Sequence, residues 1–172
     1  MPLLQDNRFE ADAWQHLQGD TDIPADGDLL VPLARLLSDF QKLSSRSGRL
    51  GVILPNSERA SVLETFLPAL SLIALDFPAF ADGRAYSQAR HLRQHGFAGE
   101  LRARGNVLPD QLAFMTEVGF DAFEVSDRFS EQAWQAAASR ITLRYQDTQR
   151  PLRQHIWHAR HSAANRRLAS RQ

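Results

Sequence analysis

The chain has 172 residues, 43% of them apolar and 23% charged, with no cysteine and a formal net charge of zero. That length fits one globular domain with a core large enough to fold without covalent staples. The missing cysteine excludes disulfides, a thiolate nucleophile, a CxxC redox pair and cysteine-ligated iron–sulfur clusters, so any redox chemistry would need an organic cofactor or a partner protein.

Residues 1–28 carry one basic side chain, Arg8, and no apolar stretch of signal-peptide length. No apolar run anywhere reaches the roughly 18 residues of a membrane span, so the expected compartment is the cytoplasm, with no membrane partner. Residues 1–30 read as irregular, with turns marked by Asp20, Asp22, Pro24, Asp26 and Gly27 and short strands around Phe9 and Leu29–Val31. Leu33, Leu36, Leu37, Phe40 and Leu43 recur at three- and four-residue intervals and predict one buried helical face.

A rhythm follows. Leu50–Leu54 reads as a buried strand, and Asn56-Ser57 as the cap of a helix presenting Val62, Leu63 and Phe66 that ends or kinks at Pro68. Leu72–Leu75 is a second strand, buried on both faces. Next come a helix over Arg84–His95, a strand over Phe97–Arg102, a helix over Val107–Val118 and a strand over Phe120–Val125. Gly96-Phe97 and Gly119-Phe120 repeat the same junction, a glycine closing a helix and a phenylalanine entering the sheet. The pattern predicts an α/β fold of successive βα units with a mainly parallel sheet, either open and three-layered or a truncated, half βα-barrel. Unpaired sheet edges make a homodimer plausible.

The single α/β domain is expected over residues 1–147, followed by a basic tail, 148–172, helical or disordered. Charge is uneven: residues 1–82 hold 12 acidic and 6 basic side chains, residues 83–172 hold 8 and 14. The tail contains His155, His158 and His161 on one broad helical face, but no HExxH motif or nearby carboxylate supports a metal, and none is expected. Zero net charge and the lack of interleaved aromatics argue against nucleic acid as a partner.

Ligands of parallel α/β sheets bind beyond the carboxyl ends of the strands. Asn56, Asp76, Arg102, Arg104, Glu124 and Ser126 fall at those ends, and the loop 77–83 is long for a βα connection. Asp76 and Glu124 are the candidate catalytic residues, Asp76 first because it follows an apolar run, whose burial would raise its pKa. Asp82 and Glu100 are further candidate acids. Asp82, Gly83, Arg84, Tyr86, Ser87, Arg90 and Arg102 are the candidate anion-binding set, because free N–H groups at a helix start and forked guanidinium donors suit sulfite, sulfate or phosphate. A plainer reading weighs more on the residues alone: Asp82-Gly83 is a turn and cap whose own carboxylate occupies the helix start, with Arg90 and Arg93 paired to Glu100 or solvent. No GxGxxG, P-loop, GxSxG or zinc pattern occurs, and the cofactor stays unknown.

The run Leu75-Asp76-Phe77-Pro78-Ala79-Phe80-Ala81-Asp82-Gly83-Arg84-Ala85-Tyr86-Ser87-Gln88-Ala89-Arg90-His91-Leu92-Arg93 is distinctive. So are Gly99-Glu100-Leu101-Arg102-Ala103, Val107-Leu108, Asp110-Gln111-Leu112 and Gly119-Phe120-Asp121-Ala122-Phe123-Glu124. Together they resemble a bacterial family called domain of unknown function 934, over roughly residues 30–146. The resemblance implies an accessory protein or oxidoreductase of assimilatory sulfite reduction, because genes of that family lie beside those of siroheme sulfite reductase, which becomes the expected partner. It makes a sulfur oxyanion the preferred ligand and assigns no catalytic residue. Ala85, Arg104, Asn106 and Pro109 depart from the family's usual Gly, Val, Asp and Arg, which puts in doubt any site that depends on those positions. The alternatives are a βα-barrel-like enzyme acting on a small anionic substrate and a non-catalytic interaction module.

Overall fold

The computed structural model describes residues 2–19, 21–79 and 81–139. The basic tail expected over 148–172, with its three histidines, lies outside the described residues. Those that are described belong to one compact unit.

Eight strands form one sheet: β1 (Leu3–Gln5), β2 (Arg8–Glu10), β3 (Gln15–His16), β4 (Leu29–Pro32), β5 (Leu50–Leu54), β6 (Leu72–Phe77), β7 (Glu100–Gly105) and β8 (Ala122–Glu124). Their order is β2-β1-β8-β7-β6-β5-β4-β3. From β3 to β8 each strand lies parallel to the next in sequence, the order that successive right-handed crossovers produce. The sheet curls as a half-barrel. It is nonetheless mixed rather than mainly parallel, because β1 runs antiparallel to both β2 and β8. Asp6 and Asn7, both with positive φ (49° and 64°), make the tight turn of the β1–β2 hairpin, and the hairpin closes the β8 edge.

Four α-helices occur among the described residues: α1 (Leu33–Ser44), α2 (Arg84–Gln94), α3 (Leu112–Val118) and α4 (Glu131–Ser139). Strict strand–helix alternation fails between β5 and β6. The expected helix there is two 3-10 turns, Ala60–Leu63 and Leu67–Ala69, and Pro68, which has no N–H to donate, lies in the second of them. Strand β7 begins at Glu100 rather than Phe97: Gly96 has φ 85°, and the Phe97 N–H donates to Leu92 O in closing α2. Leu37, which the spacing puts on the buried face of α1, is half exposed.

Alternation along the strands separates two faces. One joins the helices in the main core, with Leu29, Val31, Val52, Leu54, Ile73, Leu75, Phe77, Leu101, Ala103, Phe123 and Val125 packed against Leu36, Ala85, Ala89, Leu92, Met115 and Trp134. The other carries a smaller cluster of Leu30, Leu72, Ala74, Ile53 and Trp14. Gly51 leaves room there for the Trp14 indole, since a Cβ would sit 3.1 Å from that ring. Buried Gln88 fastens α2 to the loop after β5, its amide donating to Pro55 O (2.9 Å) and Glu58 O (2.7 Å). No helix among the described residues is long and apolar enough to cross a membrane.

Candidate functional site

Beyond the small apolar cluster, the face away from the helices turns ionic. Asp76 on β6 lies in register with Arg104 on β7, and Ala74 with Arg102. Residues 100, 102 and 104 of β7 share that face, as does Glu124 of β8. Arg104 Nε reaches Asp76 Oδ1 at 3.0 Å and Glu124 Oε2 at 3.9 Å. Arg102 is fully buried and donates to Glu100 Oε1 through Nε (2.9 Å) and to Asp12 Oδ2 through NH1 (2.7 Å), with Glu124 Oε1 3.6 Å away. Asp12 arrives on the loop before β3, where its Oδ1 accepts from the Trp14 N–H (3.1 Å) while the Trp14 side chain packs in the small apolar cluster.

Burial pushes the Asp76 carboxyl above its ordinary value of 3.8; Arg104 pulls it down and Glu124 pushes it further up, and the net direction is up. Asp12 moves the other way. Burial opposes its ionisation, but hydrogen bonds from Arg102 and the Trp14 N–H, with the charge of Arg102, outweigh that and hold the carboxyl below 3.8. Burial likewise works against the charge on Arg102, yet Asp12 and Glu100 raise its pKa above the ordinary guanidinium value. Glu124 Oε1 is buried and accepts no hydrogen bond. Such an acceptor is costly to leave unpaired and is suited to a ligand that brings a donor.

The direction at Asp76 yields a signed expectation. A carboxyl with a raised folded-state pKa favours folding in its protonated form. That contribution is full below 3.8 and is lost as pH rises through the folded-state value. Urea midpoints of wild type and Asp76→Asn across pH 3.5–7 should therefore diverge in favour of the variant as pH rises from about 4. A constant difference would show that Asp76 titrates as in the unfolded chain.

Of the nine residues expected from sequence, the structure brings Asp76, Glu124 and Arg102 into this one cluster, together with Arg104. Arg102 is engaged by carboxylates and fully buried, so it is not presented with Arg84 to an incoming anion. At the start of α2, Asp82 holds the position expected for an oxyanion. Its Oδ1 accepts from the Arg84 N–H (3.2 Å), the Arg84 side chain grips both its oxygens (Nε–Oδ1 3.0 Å, NH2–Oδ2 2.6 Å), and Asn56 Nδ2 donates to Oδ2 (2.7 Å). Hydrogen bonds from Arg84 push Asp82 down to about 2. Gly83 precedes the helix at φ −82° and needs no special conformation. Tyr86 packs edge-on to Phe77 (5.2 Å) and against Phe114 (4.9 Å), while burial raises its hydroxyl pKa. Ser87 and Arg90 are exposed.

Neither Arg90 nor Arg93 pairs with Glu100, which belongs to Arg102. Arg93 instead ties α2 to the segment before β8, donating to Gly119 O through Nε (3.0 Å) and to Asp121 Oδ2 through NH2 (2.5 Å). Asp12 escaped the sequence reading. It lies 90 residues from Arg102 in a stretch with no periodicity, and only the packing of Trp14 delivers it.

The model of the family described as "Bacterial protein of unknown function (DUF934)" matches residues 51–155. No curated protein and no solved structure matches the chain. The matched segment covers more than half of the sequence and includes β5 to β8 with every strand-borne charge of the cluster, and the chain belongs to this bacterial family of unknown function.

Proposed function

We propose that this protein serves assimilatory sulfite reduction as an accessory protein that binds a singly protonated sulfur oxyanion at Asp76, Arg104 and Glu124. The observation that carries the reading is the ion pair of partly buried Asp76 with Arg104 beside a buried Glu124 oxygen that accepts no hydrogen bond. The resemblance noted from the sequence supplies the sulfur context. Four carboxylates (Asp12, Asp76, Glu100, Glu124) surround two guanidiniums in this cluster, so it repels a bare dianion. An anion that keeps one proton is repelled less and brings a donor of its own. Its hydroxyl donates to Glu124 Oε1, its other oxygens accept from Arg104, and Asp76 supplies or takes a proton. With no cysteine on the chain, electrons come from the reductase or from a bound organic cofactor.

The test is growth of a deletion strain on sulfate, sulfite or cysteine as sole sulfur source. Growth on cysteine alone is expected, with rescue on sulfite by wild type and failure of rescue by folded Asp76→Asn or Glu124→Gln. Normal growth of the deletion strain on sulfate and sulfite would sink the sulfur role. Full rescue by both variants would sink the site while leaving that role standing.

A further inference from the structure

A second group of donors lies on α2 and the 3-10 turn before it, apart from the ionic cluster. Glu64 caps the turn Ala60–Leu63, while His91 lies in the last turn of α2 and His95, four residues on, caps that helix. The carrying elements are packed together through Ala60, Leu63, Ala85, Ala89 and Leu92, all in the main core. Rigid elements therefore hold all three side chains at the surface.

We propose that Glu64, His91 and His95 bind one divalent transition-metal ion of the zinc class. Their ligand atoms all lie within 4.8 Å of one another. Glu64 Oε1 is 2.8 Å from His91 Nε2 and 3.6 Å from His95 Nε2. A tetrahedral ion with bonds of roughly 2.0–2.1 Å spaces its ligand atoms about 3.3 Å apart, between those two values. His95 has its tautomer set for the task. Its Nδ1 lies 2.8 Å from the His91 carbonyl oxygen, which can only accept, so the proton sits on Nδ1 and Nε2 carries the free lone pair. Backbone hydrogen bonds of that kind commonly orient metal-ligating imidazoles. A metal ion would replace the direct contact between His91 Nε2 and Glu64 Oε1.

Two imidazoles and a carboxylate favour zinc, nickel, cobalt or copper(II) over magnesium or calcium. Asp12, His16 and Glu124 are also close enough to share an ion, but the Arg102 guanidinium stands 2.7 Å from Asp12 and 3.6 Å from Glu124 and repels a cation there. Three protein donors leave a fourth position for water or an anion. His91 also lines a groove of about 400 Å³ with Asn56, Ser57, Arg84 and Ser87. Ser87 and Arg84, selected from the sequence as anion ligands, thus line the same groove as His91 and not the ionic cluster.

The experiment is calorimetric titration of Zn²⁺ into the full chain carrying His155→Gln, His158→Gln and His161→Gln, which removes the histidines of the tail. One equivalent should bind, and Glu64→Gln, His91→Gln and His95→Gln, added singly, should each weaken binding at least tenfold. Mg²⁺ should give no comparable heat. All three positions are at least a third exposed, so the variants should unfold at the wild-type urea concentration in the absence of metal. Absence of Zn²⁺ binding, or binding equally tight in all three variants, overturns the site.

Discussion

Arg102→Met is expected to destabilise the fold by about 3–5 kcal/mol, read as a drop in the urea midpoint with an unchanged slope. The arginine is fully buried, and the side chains of its three acidic partners are only 23% (Asp12), 18% (Glu100) and 12% (Glu124) exposed. A methionine fills similar space but takes the guanidinium from Asp12 and Glu100 and leaves Glu124 only the more distant Arg104, and an uncompensated buried charge is costlier than the pair was worth. Asp12 adds a pH signature. Its folded-state pKa lies below 3.8, so its contribution is present above 3.8 and is lost as pH falls through the lowered value. Arg102→Met should abolish that part of the acid profile, and adding Asp12→Asn to it should restore some stability. A loss below about 1 kcal/mol would mean that the carboxylates find water instead.

Gly105→Ala is expected to cost about 2–4 kcal/mol and to disturb the proposed site as well. Gly105 ends β7 at φ 97°, and a Cβ there would lie 2.5 Å from the Phe77 carbonyl oxygen on β6. That oxygen already accepts from the Asn106 N–H at 2.7 Å, so the backbone has no room to yield. Arg104 and Asp76 sit one residue back on the same two strands, and displacement of this corner would lengthen their 3.0 Å contact. Gly96→Ala is the control. It also has positive φ (85°), but nothing lies within 4 Å of the added carbon, so about 1 kcal/mol of backbone strain is all it should incur. Equal losses at the two positions would show that contact with Phe77 is not what excludes a side chain at 105.

The legible parts of this protein are those in which local chemistry repeats. Strands β5 and β6 are apolar runs of the right length, α2 begins within a residue of its expected start, and Gly119 takes the left-handed conformation (φ 116°) that ends α3. The strands β1 and β3 are three and two residues long, too short to show a period, and their backbones are ordered by partners elsewhere in the chain. Hence the antiparallel hairpin, and with it the mixed character of the sheet, was not readable. Nor was the failure of the helix before β6, where apolar spacing competes with Pro68 and loses.

The ionic cluster divides along the same line. Alternation along β6, β7 and β8 is enough to set Asp76, Arg102, Arg104 and Glu124 on one face, and burial next to an apolar run is enough to make Asp76 resist ionisation. Which charges meet is a matter of register and of segments far apart in the chain. Asp12 reaches Arg102 only because Trp14 is seated over Gly51, and Arg84 turns to Asp82 rather than to a ligand. Periodicity assigns a residue to a face, whereas a partner is chosen by the three-dimensional competition among all charges within reach. That competition gathered four carboxylates around two guanidiniums, and the strand-end surface first recognised by its arginines is in the folded protein predominantly acidic.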